Sequence, residues 1–422
     1  MMNSDAVHGM DATKSELQEL WPEPGICRNT WISSHRIAYN DEPPSDDSST
    51  DVLEFEMAEH QFLGNQITPI DDKGNKFQAS KVPILFLGSG SNIQPLYYGQ
   101  ISALAGDFYG TTNPISDGID EDDRHKRFLD AFNTLANNPQ DQPQDARALI
   151  KYLQLEVDEV GRAHREKRDP STIYKGGEVV SNVTLQMMTS SRKKANFLSY
   201  AKLALINWDH FGDDARTSYT TGHKAAIELA ARGGRAKDAL FKAYAMNAFA
   251  DHFLQDLFSA GHLRTPRRLL HGPTTLADKC AQYMHDEDCA LGLSVTNKKG
   301  EHWVAYGDRR LLDRVNEDNL KRCLAAVHAS SMEVYTAWNT KKALPVSEFG
   351  AWNTIPTKTS ATATSQKLPP LFLLGPSGLY KDLKRRTDID DRSKWRHDTN
   401  WTTPTTALAL VRSKRWNYPM TF

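Results

Sequence analysis

The strongest constraint on the fold of this 422-residue chain is a helical periodicity that recurs between residues 124 and 260. Apolar residues return there at spacings of three and four, which is the pattern of helices that bury one face. The stretches with this pattern are 124–137, 144–168, 183–207, 214–232 and 236–260. Helices of this length predict a domain whose core forms between their apolar faces.

Polarity divides the chain into a helical body and two less regular ends. Residues 1–50 are rich in Asp, Ser and Pro and predict a flexible N-terminal arm, whereas 51–342 carry the helical patterns. Residues 343–422 are rich in Thr, Ser, Pro and Trp and predict an irregular C-terminal extension. Within 291–308, alternating residues flank an Asn-Lys-Lys-Gly turn and predict a small β-hairpin. The expected fold is a single all-α, multi-helix domain with one small hairpin.

Charge and hydropathy narrow the classes of partner. The net charge of -2 argues against a general nucleic-acid coat, so no stable nucleic-acid partner is expected. No segment approaches the roughly 20 apolar residues of a membrane-spanning helix. The first 20 residues lack the basic and apolar regions of a signal peptide. These features predict a protein that is not transmembrane and is either cytoplasmic or exported without a conventional signal peptide.

The cysteines predict free thiols rather than a disulfide framework. They are few, widely spaced and without a Cys-x-x-Cys pair. The four are Cys27, Cys280, Cys289 and Cys323.

The most informative segment is NAFADHFLQDLFSAGHLRTPRR, residues 247–268. His252 and Asp256 are four residues apart in a predicted helix, so both side chains project from one face and can reach one metal ion. Gly261 permits the helix to end, which places His262 on a turn that can point back to the same cavity. The segment therefore predicts part of a metal site.

Other metal-capable residues repeat this setting at helix ends or among aromatic and small residues. They are His60, Asp107, His210 and His285. Each has a plain structural explanation by itself, as a helix-end residue or a hydrogen-bonded core histidine. Together they favour a shared pocket. Asp288 follows His285 by three residues on the same helix face and is the expected acidic partner, with Asp286, Glu287 and Cys289 as alternatives.

In this order and spacing, the set resembles the zinc-dependent phospholipase C family and its relatives, the P1-type nucleases. The resemblance spans roughly residues 55–290 and implies an all-helical enzyme with three zinc ions held by His, Asp and Glu. It implies one ion on Asp107, His210, His252 and Asp256, with Asp256 near a second ion. It implies another ion on His262, His285 and an acidic partner, and it matches His60 to the family's early histidine ligand.

Two departures from the family reduce the expected number of ions to two or three. Family members complete one zinc site with a processed N-terminal amine, whereas here more than fifty residues precede His60. The family's last ligand pair is His-x-x-x-Glu, and Cys289 stands here in the position of that Glu. Asp288 is therefore the predicted substitute.

The resemblance implies a zinc-dependent phosphodiester hydrolase. The expected substrate is a phosphatidylcholine-type phospholipid at a membrane surface, cleaved to diacylglycerol and a phosphorylated headgroup. Asp107 is expected to accept the proton of the attacking water. Two alternatives remain at this stage: a P1-type single-strand nuclease, and a non-catalytic helical protein stabilised by zinc. His223 is expected to face solvent, and Arg264, Arg267 and Arg268 either bind phosphate or lie on a solvated helix face. The oligomeric state is left open.

Overall fold

A computed structural model of the chain describes residues 57–413, apart from 138–143, 177–178, 191, 193–197, 235 and 273–274. The predicted N-terminal arm, residues 1–50, lies outside the described residues, as does Cys27. The described chain is mostly helical with a few small sheets, which confirms the all-α class. The phospholipase C-like form of that class stays a prediction. No helix among the described residues has both the length and the hydropathy that crossing a bilayer requires.

Fourteen α-helices, numbered in chain order, make up most of the described fold. They are α1 Met57–Asn65, α2 Tyr98–Leu104, α3 Glu121–Ala136, α4 Gln144–Arg165, α5 Asn182–Ser190, α6 Tyr200–Leu205, α7 Gly212–Arg232, α8 Lys237–Asp256, α9 Ala260–Arg264, α10 Arg267–Leu270, α11 Thr275–Leu291, α12 Glu317–Thr340, α13 Lys358–Ala361 and α14 Thr403–Arg412.

Helix α8 is the centre of the fold, and α2, α7 and α12 pack around it. From Leu240 to Asp256 nearly every residue of α8 is buried. A helix in such a position is apolar on most of its surface, and any polar side chain on it needs a partner inside the protein. The buried polar residues of α8 are Asn247, Asp251, His252, Gln255 and Asp256. Their partners define the candidate site.

Three small antiparallel sheets lie between the helices. Strand β1, Leu85–Ser89, pairs with β2, Asn92–Leu96. Strand β3, Leu293–Thr296, pairs with β4, His302–Ala305, which confirms the predicted hairpin. The third sheet has the order β5-β6-β7 and is formed by Phe372–Leu373, Lys384–Arg386 and His397–Asp398.

Two of the predicted helices are interrupted. The stretch 183–207 forms α5 and α6, and part of the segment between them lies outside the described residues. The stretch 236–260 ends at Asp256, and the chain turns there before α9 begins. His262 therefore lies on a short helix, not on the turn itself. These breaks matter for the site because they place His262 and Asp256 on different elements.

The C-terminal extension is more regular than its composition predicts. Its described part contains the β5-β6-β7 sheet and α14, and α14 packs against α11. A second hydrophobic core forms between them and includes Met284, Leu371, Phe372 and Leu410. The extension therefore covers one side of α11, the helix that carries His285.

Candidate metal centre

Seven of the eight predicted ligands converge near the C-terminal end of α8, and none of the seven is more than 2% exposed. They come from distant parts of the chain: α1, the loop after α2, the 3₁₀ turn before α7, and helices α8, α9 and α11. The seven are His60, Asp107, His210, His252, Asp256, His262 and His285. The eighth predicted ligand, Asp288, lies elsewhere.

A tight loop after α2 brings Asp107 to this group. Gly106 has a φ of +70°, a conformation that L side chains rarely adopt. A Cβ atom at Gly106 would stand 2.7 Å from the ring of His210 and 3.1 Å from Nε2 of His252. Only glycine therefore allows the backbone to approach both imidazoles and hold Asp107 beside them.

Four of the imidazoles are oriented by acceptors at Nδ1. Nδ1 of His252 lies 2.9 Å from the carbonyl oxygen of Ser102, and Nδ1 of His262 lies 2.9 Å from that of His210. Nδ1 of His60 and Nδ1 of His285 lie 2.7 and 2.8 Å from the side-chain oxygens of Gln255 and Asp286. Because each of these oxygens accepts, Nδ1 carries a proton, and Nε2 is the ring nitrogen left to face a metal ion. This arrangement is typical of metal-bound histidine.

Asp256 is surrounded by these rings but is not hydrogen-bonded to them. Its carboxylate lies 2.9 Å from Nδ1 of His210, 3.5 Å from Nδ1 of His262 and 3.6 Å from Nε2 of His60. Within the described residues, neither of its oxygens accepts a bond of hydrogen-bonding geometry. A buried carboxylate without a hydrogen bond lowers the free energy of unfolding by more than the roughly 1–3 kcal/mol that a neutral unpaired group costs. A bound cation would remove that cost.

The ligand atoms form three groups, each compact enough for one metal ion. The groups are His60–Asp107–His252, His210–His252–Asp256 and His262–His285–Asp308. A tetrahedral ion with bonds of about 2.0–2.2 Å separates neighbouring ligand atoms by roughly 3.3–3.5 Å. Nε2 of His252 lies 3.6 Å from Asp107 and 3.7 Å from Asp256. The three groups could therefore each hold a metal ion.

The third group corrects one predicted ligand. Asp288 is fully buried but binds Arg264 through both carboxylate oxygens, at 2.6 and 2.8 Å. Asp308, just after β4, takes the expected place, with its Oδ2 3.0 Å from Nε2 of His285 and 3.6 Å from Nε2 of His262. Ser259 donates a hydrogen bond of 2.6 Å to its other oxygen. The only signal for Asp308 in the sequence is its position at the end of the predicted hairpin.

Burial sets the charge state of the metal-free centre. It lowers the pKa of His60 and His210 well below the usual range and also lowers that of His252. Burial raises the pKa of Asp256 to about 6. A neutral imidazole, whose unprotonated ring nitrogen has an available lone pair, is the form that binds a metal ion.

The third group carries charge of both signs. Burial by itself would raise the pKa of Asp308, but the adjacent His285 and His262 lower it well below the usual range. Burial would likewise lower the pKa of His285, and the neighbouring Cys289 and Asp308 instead raise it well above the usual range. His285 and Asp308 therefore form an ion pair in the metal-free protein.

The other polar residues singled out in the sequence do not face the centre. His223 is buried, not solvent-facing, and lies 2.5 Å from Asn247 and 2.8 Å from Glu333. Arg267 is buried, binds Asp278 at 2.6 Å and also donates to backbone carbonyls. Like Arg264, these side chains are bound within the fold, so they carry no argument for phosphate binding. Arg268 is paired with Asp117 and Asp214 at the surface.

A cleft reaches the centre from one side. Gly106 and His210 line it, together with Tyr109, Phe249 and Phe253. His210 is the residue of the three groups that lines the cleft, and no residue of the His60–Asp107–His252 or His262–His285–Asp308 group does. The three groups therefore differ in their access to solvent.

No protein-family model, curated protein or solved structure matches this chain. The functional conclusion therefore depends on the residues and geometry of the centre.

Proposed function

We propose that this chain is a zinc-dependent phosphodiester hydrolase, with phosphatidylcholine-type phospholipids as its first expected substrate class. The observation that carries the proposal is the setting of Asp256. Its two oxygens lie among imidazoles from α1, the turn before α7 and α9, without a hydrogen bond inside the described chain. Such an arrangement is costly unless it serves to bind cations.

The charge of the loaded centre suits an anionic substrate. The ligand groups contain three carboxylates, from Asp107, Asp256 and Asp308, and otherwise neutral imidazoles. Two divalent cations would outweigh these negative charges. The resulting positive charge in a buried site would attract a phosphodiester anion, because burial strengthens electrostatic attraction.

Each part of the chain has a role in this proposal. Zinc held by the three ligand groups would supply an acidified water and positive charge near the phosphoryl oxygens. Asp107, which follows the cleft-lining Gly106, would accept the proton of the attacking water. The carbonyl of Ser102 holds His252 in the tautomer that binds a metal. The aromatic walls of the cleft, including Phe249 and Phe253, exclude water from the reacting phosphate.

The direct test combines metal content with hydrolysis. Zinc-loaded protein is expected to release phosphocholine from a short-chain phosphatidylcholine, and a chelator should stop the release. His252→Ala should lose at least about one equivalent of zinc and the activity, whereas His302→Ala, at an exposed position on β4, should keep both. Unchanged metal content in His252→Ala contradicts the proposal. Parallel assays with single-stranded DNA decide between lipid and nucleic-acid esters, since both could use this centre.

The complete burial of the ligands favours one second candidate, a helical protein that zinc stabilises without catalysis. His60, His252, Asp256 and His262 are all 0% exposed, and structural zinc sites are typically closed. Under this alternative, removal of zinc unfolds the protein, and neither phosphatidylcholine nor single-stranded DNA is cleaved. The cleft lined by Gly106 and His210 favours the hydrolase, because it places an opening beside one of the candidate ligands.

A further inference from the structure

The amide of Gln255, on α8, lies where the helices that carry the His60–Asp107–His252 group meet. Its side chain is fully buried. The amide oxygen Oε1 lies 2.7 Å from Nδ1 of His60, on α1, and accepts a hydrogen bond of 3.2 Å from the hydroxyl of Ser102, on α2. One oxygen atom therefore connects α1, α2 and α8.

A contact between two glycines brings α1 and α2 close enough for this connection. A Cβ atom at Gly64 would stand 2.6 Å from Cα of Gly99, so a larger residue there would push the two helices apart. His60 lies four residues before Gly64, and Ser102 lies three residues after Gly99, so each shares a helix face with its glycine. The packing of these two faces therefore brings His60 and Ser102 to the same side chain of α8.

Ser102 extends the influence of Gln255 to the second histidine of the group. The hydroxyl of Ser102 donates to Gln255, and its carbonyl oxygen accepts from Nδ1 of His252 at 2.9 Å. The imidazoles of His60 and His252 also stack, with their centroids 4.1 Å apart. A change at Gln255 therefore acts on His60 directly and on His252 through Ser102.

The orientation of the amide decides which nitrogen of His60 carries the ring proton. With Oε1 of Gln255 as the acceptor, Nδ1 carries the proton and Nε2 faces the other ligand atoms, 3.6 Å from Oδ1 of Asp256. With the amide nitrogen in that place, Nδ1 would have to accept, and the proton would lie on the nitrogen that should bind the metal. The observed orientation leaves the amide nitrogen of Gln255 buried without a hydrogen-bond partner among the described residues. Because such a group destabilises a fold, a role in the metal centre explains this amide better than folding does.

We propose that Gln255 is a positioning residue of the candidate metal centre: it fixes the metal-binding tautomer of His60 and, through Ser102, the orientation of His252. Gln255 acts through these histidines and is not itself a ligand. Partners of this kind behind a metal ligand typically raise metal affinity by about 10–100-fold. The inference rests on the metal-binding part of the proposed function and does not depend on which ester is cleaved.

Zinc affinity of the full-length protein, measured by competition with a chromophoric chelator, is the first test. Gln255→Met keeps the length of the side chain but removes the acceptor, and it should bind zinc about 10–100-fold more weakly than the parent protein. Gln255→Glu keeps an acceptor and should restore most of the affinity. Gln366→Met is the matched control, because Gln366 is also buried but its amide binds the backbone of Ser294 and Ser360. The control should lose stability and keep its zinc affinity.

The tautomer of His60 gives a second readout, in the zinc-free protein, that a purely structural role would not change. NMR of ¹⁵N-labelled histidine at mildly alkaline pH should show His60 protonated at Nδ1 in the parent and at Nε2 in Gln255→Met. His60→Ala identifies the signals by their loss. A parent protein with the proton of His60 at Nε2 overturns the proposal, as does a Gln255→Met protein with the parent's tautomer and zinc affinity.

Ser102→Ala provides the test should Gln255→Met not fold. It removes the hydroxyl that fixes the amide and keeps the carbonyl that binds His252, so zinc binding should weaken. Unchanged zinc affinity in Ser102→Ala overturns the proposal. A parent protein that binds no zinc contradicts the proposed function as well, whereas equal affinity of the parent and the variants contradicts the role of Gln255 alone, so the two failures are distinguishable.

Discussion

At the scale of single residues, the buried carboxylate of Asp256 is the group that the metal-free fold accommodates least well. Burial raises its pKa to about 6, compared with about 3.9 in an unfolded chain. The folded, metal-free protein therefore binds more protons at this site than the unfolded chain does between about pH 4 and pH 6. Protonation of Asp256 therefore stabilises the metal-free fold at low pH, and this contribution to the free energy of unfolding is lost as pH rises through the pKa of the folded state.

The variant Asp256→Asn is expected to be more stable than the parent protein when zinc is absent. The difference in unfolding free energy should grow between about pH 4 and pH 6 and then level off at about 1–3 kcal/mol, because Asn cannot ionise. Denaturant unfolding in the presence of a chelator measures it. Asp158→Asn, at an exposed position on α4, should show no such trend. The same Asp256→Asn protein should lose zinc, and a variant that is destabilised without zinc contradicts this account.

Substitution of each of the two acidic residues near His285 is expected to have a different effect. Asp288→Asn leaves the charge of Arg264 buried without its carboxylate partner, which should cost about 3–5 kcal/mol of unfolding free energy. Asp308→Asn should instead lose about one equivalent of zinc, with a smaller loss of stability in the metal-free protein because His285, unlike Arg264, can release its proton. Metal analysis and unfolding of both variants check this. Equal zinc loss from both would return Asp288 to the ligand set.

At the scale of elements, the loop after α2 depends on one glycine. Gly106→Ala must place a Cβ atom 2.7 Å from the ring of His210, at a φ of +70°. Gly90 is the matched control, because its φ is +60° and no atom within 4 Å would contact an added Cβ. Both variants should lose about 1–2 kcal/mol to backbone strain. Only Gly106→Ala should also lose zinc affinity, which calorimetric titration measures, and equal affinity in the two variants would contradict the predicted close approach.

Helical spacing explains how much of this site the sequence predicts. His252 and Asp256 share a helix face at any plausible boundary of α8, so their pairing follows from local geometry. The position of Asp308 depends on how the β3–β4 hairpin packs beside α9 and α11, and no local pattern encodes that contact. Asp288 has the correct helical spacing from His285, but Arg264 on α9 binds its carboxylate. Local rules therefore pair the candidate ligands on one helix, whereas they give no indication of Asp308, which only tertiary packing brings to His285.

At the scale of the whole molecule, a buried ion pair joins the C-terminal extension to the helical body that carries the candidate metal centre. Arg386 on β6 binds both carboxylate oxygens of Glu287 on α11, at 2.9 and 3.0 Å, and both side chains are at most 1% exposed. Glu287 lies two residues from His285 on the same helix. The residue content of this region predicts an irregular end, because composition by itself does not reveal a buried ion pair. We therefore expect the C-terminal extension and the candidate metal centre to unfold together.

This coupling gives a prediction that a double-mutant cycle can test. Arg386→Met leaves the carboxylate of Glu287 buried with Arg392 as its remaining cationic partner among the described residues, and should lower the unfolding free energy by about 3–5 kcal/mol. Glu287→Leu should cost a similar amount, because it leaves Arg386 buried. The double variant should lose less than the sum of the two, since neither charge then stays buried without its partner. Strictly additive losses would show that the two residues do not interact, and the extension would then be attached to α11 by apolar packing.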